Sequence, residues 1–175
     1  MLKIINSKQS KELDKTTISK KKSSKDNLID NAGKTIAYHI IESIDHPFSA
    51  KILCIAGNGD NGMDAIVANK YLNTNNVNSD LLIIDPISIN ATNLLDVSYF
   101  TLTDSLDFFD YDYIVDGIFG TGLNRDVSGI FSLTIERMKN HENIISIDIP
   151  SGIYADSGNA SSRSVNAKDT ITFTY

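Results

Sequence analysis

The chain has 175 residues, a mass of 19.2 kDa, 41% hydrophobic residues and a formal net charge of −6 at pH 7. That size predicts one domain, residues 1–175, with a core of its own. The acidic balance argues against a general nucleic-acid binder, no apolar run approaches the roughly 20 residues of a membrane span, and Met1-Leu2-Lys3-Ile4-Ile5-Asn6 shows no secretory leader, so a cytoplasmic location is expected.

The charge is uneven. Residues 1–25 hold eight of the sixteen basic residues, from Lys3 to Lys25, against only Glu12 and Asp14, leaving eight basic against twenty acidic residues beyond them. No aromatics interleave these lysines, so they read as a solvated helix face rather than a nucleic-acid arm. Ser7 to about Lys22 is the first helix, with Ser7 or Ser10 as its cap and Leu13 and Ile18 on a sparse inner face. Ser23 or Ser24 caps a second helix to about Ser43. Its apolar residues Leu28, Ile29, Ala32, Ile36, Ala37, Ile40 and Ile41 recur at spacings of three and four, which predicts packing on the core. His46-Pro47 then breaks the chain.

Ile52 to Ala56 reads as a buried strand, Gly57 to Gly62 as a tight turn, and the segment with Ile66, Val67 and Leu72 as a helix. The single cysteine, Cys54, lies in that strand and reads as an inert buried thiol. An asparagine-rich turn, Asn73 to Ser79, precedes a second strand at Leu81 to Ile84, and Asn90 to Val97 is a short helix. Tyr113 to Val115 is a third strand ending in Asp116 and Gly117. Val127 to about Asn140 is a helix, Ile144 to Ile149 a fourth strand, and Thr170 to Thr174, alternating Thr with Ile and Phe, a fifth. Strands alternating with helices predict βαβ units and a mostly parallel α/β sheet covered on both faces.

Three glycine turns follow apolar strands, and in open parallel sheets ligands bind outside those strand ends. The first, Gly57-x-Gly59-x-x-Gly62, matches the dinucleotide fingerprint, with Asp85 after the second strand where a ribose-binding acid belongs. The helix N-terminus behind it suits a phosphate. Its polar spacers Asn58, Asp60 and Asn61 suit a cation or a hydroxylated ligand. Asp64 has two readings, a first-turn acid favoured by the helix dipole or a substrate contact. Asp116 and Asp148 end the third and fourth strands. So many carboxylates would repel a phosphate, by about 4 kcal/mol for a unit pair 4 Å apart at intermediate dielectric. A hard cation among oxygen ligands would resolve that conflict. Arg125, after Gly120-Thr121-Gly122-Leu123-Asn124, is either a phosphate ligand with Thr121 or a surface ion pair. His39, His46 and His141 are scattered away from these loops, and there is no nucleophile elbow and no Walker A pattern.

Four segments together resemble the N-terminal YjeF domain, the NAD(P)H-hydrate epimerase family. They are Asp30-Asn31-Ala32-Gly33, the run from Ala56 to Asp64, Val115-Asp116-Gly117-Ile118-Phe119-Gly120-Thr121-Gly122-Leu123, and Asp148-Ile149-Pro150-Ser151-Gly152. The resemblance covers about Gln9 to Tyr175 and implies a Rossmann-like three-layer α/β/α fold with two N-terminal helices. It implies epimerisation of hydrated NADH and NADPH, a potassium ion held by Asn61, Asp116 and Ser151, and a homodimer. Substrate contacts are implied at Asp60, Asn61, Gly62, Met63 and Asp64, at Gly120, Thr121, Gly122, Leu123, Asn124, Arg125 and Asp126, and at Asp148. Asp148, with Asp64, is the expected proton-moving residue.

The chain departs from the family pattern at Met63 and Ala65, which replace glycines, and at Asp30, which replaces Glu. The family domain commonly continues past Tyr175 by another strand and helix, so two readings of the C-terminus stand: a domain that ends on an edge strand, or a fragment of a longer one. A non-catalytic nucleotide-binding or interaction module on the same fold is the alternative reading, since fold does not settle function. An ordinary dehydrogenase is supported only by the fingerprint and Asp85.

Overall fold

The computed structural model describes residues 6–19, 24–85 and 98–172. Helices α1 (Ser7–Ser19) and α2 (Lys25–Ser43) precede strand β1 (Lys51–Ala56), helix α3 (Asp60–Thr74) and strand β2 (Asn78–Ile83). A 3₁₀ turn (Phe108–Asp110) leads into β3 (Tyr113–Gly117), α4 (Gly129–Met138), β4 (Ile144–Ile147) and β5 (Asp169–Ile171). The strands form one sheet in the order β2-β1-β3-β4-β5, every pairing parallel. The order reverses between β1 and β3, which places the ligand crevice of such a sheet at the carboxyl ends of these two strands.

Side-chain alternation along the strands divides the core into two layers. Ile52, Cys54 and Ala56 face the cluster with Ile36, Ala37, Ile40, Ile66 and Leu72 of α2 and α3. Leu53 and Ile55 face the opposite cluster, with Phe108, Ile114, Ile135 and Met138. Both faces are therefore covered, which is why these strands read as continuous apolar runs. Cys54 is fully buried, and burial pushes its thiol up to about 12. It lies 3.5 Å from the Ser79 hydroxyl. The α2–α3 crossing is close enough that a Cβ on Gly33 would lie 2.5 Å from Val67 Cβ. The Tyr71 hydroxyl lies 3.0 and 3.1 Å from the two oxygens of Asp30, so this acid ties α2 to α3.

Ser24 caps α2, its hydroxyl accepting from Asn27 N at 3.1 Å. Several expected boundaries move. Asn73 to Ser79 is not all turn: α3 runs through Thr74 and β2 starts at Asn78. The reason is tertiary, because Asn69 and Asn73 donate to the Ser79 carbonyl at 3.1 and 2.8 Å and fasten the strand to the helix. Helix α4 starts later than Val127, at Gly129, behind the extended Ser128. Strand β4 stops at Ile147 because Asp148 takes a left-handed φ of 67°. Leu13 of α1 is solvent-exposed rather than on an inner face. The expected helix at Asn90 to Val97, the Ile18 side chain, the lysines after α1 and the end of the fifth strand lie outside the described residues. Among the described residues no helix is long and apolar enough to cross a membrane.

Candidate functional site

The first wall of the crevice is the turn between β1 and α3. Two of its glycines serve packing: a Cβ on Gly57 would lie 2.0 Å from the Ile118 carbonyl oxygen, and one on Gly62 would lie 2.0 Å from that of Gly57. Gly59, at the N-cap, has nothing within 4 Å of the same position and leaves the backbone open to a ligand. Behind it the first turn of α3 presents N–H groups that no helical carbonyl meets, at the positive end of the helix dipole. Asp60 stands exposed at the rim and pairs with Lys25 Nζ of α2 at 2.7 Å. Asn58 Nδ2 donates to Asp85 at 3.3 Å, so the fingerprint turn and the acid after β2 meet at the surface. Met63 and Asp64 are half-buried. Met63 packs against the α2-side core, and Ala65 is fully buried, a Cβ on Gly117 falling 2.5 Å from its methyl.

The second component is Asp116, the last-but-one residue of β3, with 0% exposure. Its Oδ1 accepts from Ser151 Oγ at 2.6 Å and Ile118 N at 3.2 Å, and its Oδ2 from Ser146 Oγ at 2.8 Å and Ser151 N at 2.9 Å. Burial raises the carboxyl above its ordinary value, and these hydrogen bonds oppose the rise. The Ser151 oxygen also accepts from Phe119 N at 2.9 Å. Asn61, buried at the start of α3, donates from Nδ2 to the Ile147 carbonyl at 3.3 Å. Its Oδ1 accepts no hydrogen bond among the described residues. It lies 3.3 Å from the position a Cβ on Gly120 would take.

Asp148 completes the arrangement. It is half-buried, follows the last residue of β4, and its Oδ2 accepts from Thr121 N at 2.8 Å. A Cβ on Gly120 would lie 2.6 Å from that oxygen, so glycine is what lets the 117–123 turn approach the acid. Thr121, Gly122, Leu123 and Asn124 then line a cleft of about 380 Å³ together with Tyr154, Ala155, Asp156 and Ser157. Arg125 is exposed beside this turn, with no ion pair among the described residues. Asp126 is bound within its own chain. Its Oδ1 accepts a short hydrogen bond from Ser161 Oγ and one from Ser162 N at 2.8 Å, and these partners hold its carboxyl down to about 2.

The structure thus gathers Asn61, Gly120, Thr121 and Asp148 in one place and joins Asp116 to Ser151 beneath it, with Asp60 and Arg125 at the rim. Sequence reasoning passed over Ser146, which shares Asp116, over Ser161, and over the 154–157 segment. The alternation of β4 carried a signal for Ser146, whose polar side chain interrupts an isoleucine run. Nothing in the polar 154–162 stretch distinguished Ser161. The three histidines stay out of the site; His141 is buried with Nε2 2.9 Å from the Tyr111 carbonyl.

A cation would meet oxygen donors here. Among the described residues no cluster of three His, Cys, Asp or Glu exists. Amide, hydroxyl and carbonyl oxygens around one buried carboxylate suit a hard cation rather than zinc.

The family model described as YjeF-related protein N-terminus matches residues 25–175. The chain is 30% identical to the NAD(P)H-hydrate epimerase of Lentilactobacillus buchneri, over all of this chain and 85% of that protein. It is 29% identical to the one from Oenococcus oeni, over 98% of this chain and 85% of the relative. It is also 29% identical to the bifunctional NAD(P)H-hydrate repair enzyme Nnr of Thermofilum pendens, over 83% of this chain but 30% of that longer protein. The crystal structure of yeast ynu0 superposes with a TM-score of 0.81 at 23% identity, covering 97% of this chain and 79% of that one, a likeness of fold. The parallel sheet, the glycine turns at its strand ends and the extent of these matches lead to one assignment: this chain belongs to the YjeF N-terminal family.

Proposed function

We propose that this chain interconverts the R and S epimers of hydrated NADH and NADPH, returning damaged nicotinamide cofactor to the form that repair can use. The observation that carries the reading is Asp148: a carboxylate held in left-handed backbone at a strand end, fixed through one oxygen by Thr121 N, beside the turn of a dinucleotide fingerprint. The relatives named for the same activity match over nearly the whole chain.

In this reading the open backbone at Gly59 and the N-terminus of α3 take the phosphates. The hydrated ring sits against Asp148. A proton supplied to the ring hydroxyl lets the C–O bond break as the ring nitrogen's electron pair moves in; water then adds to the opposite face and gives the proton back. The exchange is neutral in protons and electrons, so a single carboxyl such as Asp148 suffices, with Asp64 on α3 as its partner. Potassium would be held by Asn61 Oδ1, the Ser151 oxygen and the Asp116 carboxylate, and would supply positive charge among these acids. The four hydrogen bonds on Asp116 already occupy both of its oxygens, so direct coordination falls first to Asn61 and Ser151. Met63 and Ala65 do not argue for the non-catalytic module: both pack toward the protein interior.

The test is chromatographic. Purified chain with potassium is added to the isolated R epimer of hydrated NADPH, and the appearance of S is compared with the spontaneous rate. Clear acceleration, lost in Asp148→Asn, is the expected result; a folded chain that leaves the rate unchanged sinks the reading.

A further inference from the structure

Resting on the epimerase reading, we infer that the cleft between the 121–124 turn and the 154–157 segment is the subsite for the nicotinamide ring, and that Tyr154 is its specificity-determining residue. Two walls bound the cleft. One is the turn whose Thr121 N is bound to Asp148, so a residue of the lining is in direct contact with the proposed reacting acid. The other is a small hairpin closed by the antiparallel bridge between Ile153 and Ala160. Both backbone groups of Tyr154 are used inside it: its N–H donates to the Asn159 carbonyl at 2.9 Å, and its carbonyl accepts from Gly158 N at 2.8 Å. Tyr154 therefore stands on fixed backbone.

The two walls are also fastened together. Ser161 N donates to the Gly152 carbonyl at 2.7 Å, closing the hairpin, while Ser161 Oγ accepts from Val127 N at 2.8 Å and donates to Asp126. At the opposite end Phe119 N donates to Ser151 Oγ. With both ends tied, the width of the cleft is set before a ligand arrives, which lowers the ordering that binding requires.

The lining then selects the ligand part. Tyr154 and Leu123 are its large apolar bodies, Thr121, Asn124 and Ser157 its neutral polar groups, and Asp156 its charge. Arg125 lies outside the lining, and a carboxylate in the cleft with another at its border disfavours phosphate there. A flat or nearly flat ring bearing a carboxamide and no anionic group is favoured, its face against the phenol and its amide among the hydroxyl and amide groups. The volume of about 380 Å³ lies within the range of small-molecule pockets. The ligand accordingly runs in one direction, phosphates toward Gly59 and ring toward Tyr154.

The chain contains no tryptophan, so Tyr154→Trp places in the cleft a lone tryptophan, which can be excited selectively over the tyrosines. Oxidised nicotinamide mononucleotide should quench it saturably, and adenosine monophosphate should not. Quenching by the adenosine compound alone, or by neither at millimolar concentration, overturns the assignment. In turnover, Tyr154→Ala should lower kcat/KM roughly tenfold for hydrated NADPH and equally for the hydrated reduced mononucleotide, with Tyr154→Phe within about twofold of the parent. A loss confined to the dinucleotide overturns the assignment in favour of adenine. An inactive parent chain would instead sink the epimerase reading, which the quenching experiment does not require.

Discussion

The ends of β3 and β4 look alike in sequence, each an apolar run closing on an aspartate beside a small-residue turn, and they behave as opposites. Asp116 still belongs to the ladder, paired with Ile55 on one side and Ser146 on the other, so strand alternation sends its side chain into the interior. Four donors meet it there, and burial raises its carboxyl. Asp148 comes one residue after its strand has ended, with φ of 67°, one hydrogen bond to its side chain among the described residues and a half-open environment. The lesson is one of register: within the ladder an acid becomes part of the scaffold, and one step beyond it an acid becomes available for chemistry.

That contrast can be broken in four ways. The largest expected effect is on turnover: Asp148→Asn should lower kcat by at least about 100-fold, the usual weight of a proton-transfer group. Its melting temperature should stay close to the parent's, because Asn tolerates left-handed backbone. A variant that retains full activity would remove Asp148 from the chemistry. Asp116→Asn should do the reverse to folding. An amide offers one acceptor oxygen to groups that now meet two, leaving buried donors facing a donor, and urea denaturation should show a loss of about 2–4 kcal/mol. A loss under about 0.5 kcal/mol would mean that Asp116 is not structural.

Asp148→Ala should be less stable than Asp148→Asn by about 1–2 kcal/mol, since alanine resists positive φ and Thr121 N loses its acceptor. Equal stability of the two would show that the backbone there is relaxed. The smallest effect is in acid. Asp116, raised by burial, contributes stability that is fully present below its ordinary value near 3.8 and is lost as pH climbs through its folded value. Asp126 has the opposite sign: held down to about 2, it contributes stability present above 3.8 and lost as pH falls toward 2. Asp126→Asn should therefore flatten the stability profile between pH 3.8 and about 2, and a profile identical to the parent's would mean that its serine partners do not favour the charged form.

The fold was legible wherever one local signal sufficed. Continuous apolar runs marked β1, β3 and β4, and the three-and-four spacing from Ile36 to Ile41 marked the buried side of α2. What escaped depended on partners distant in sequence. The Asn73–Ser79 segment reads as a turn by propensity, yet Asn69 and Asn73 use their amides to dock β2, and that satisfaction overrides the preference. In the site, the glycines were recognisable but their division of labour was not. Only the packing shows that Gly57 and Gly62 admit neighbouring backbone while Gly59 faces open space. The 153–160 hairpin, polar and short, gave no periodicity from which a cleft wall could be inferred.

The burial of Cys54 has a practical consequence. A thiol pushed up to about 12, in the middle of the central strand and beneath α2 and α3, is neither deprotonated nor reachable while the sheet is intact. Alkylating reagents can reach it only when β1 parts from its neighbours, so the rate of labelling becomes a clock for global opening, built into the chain at a position that needs no engineering.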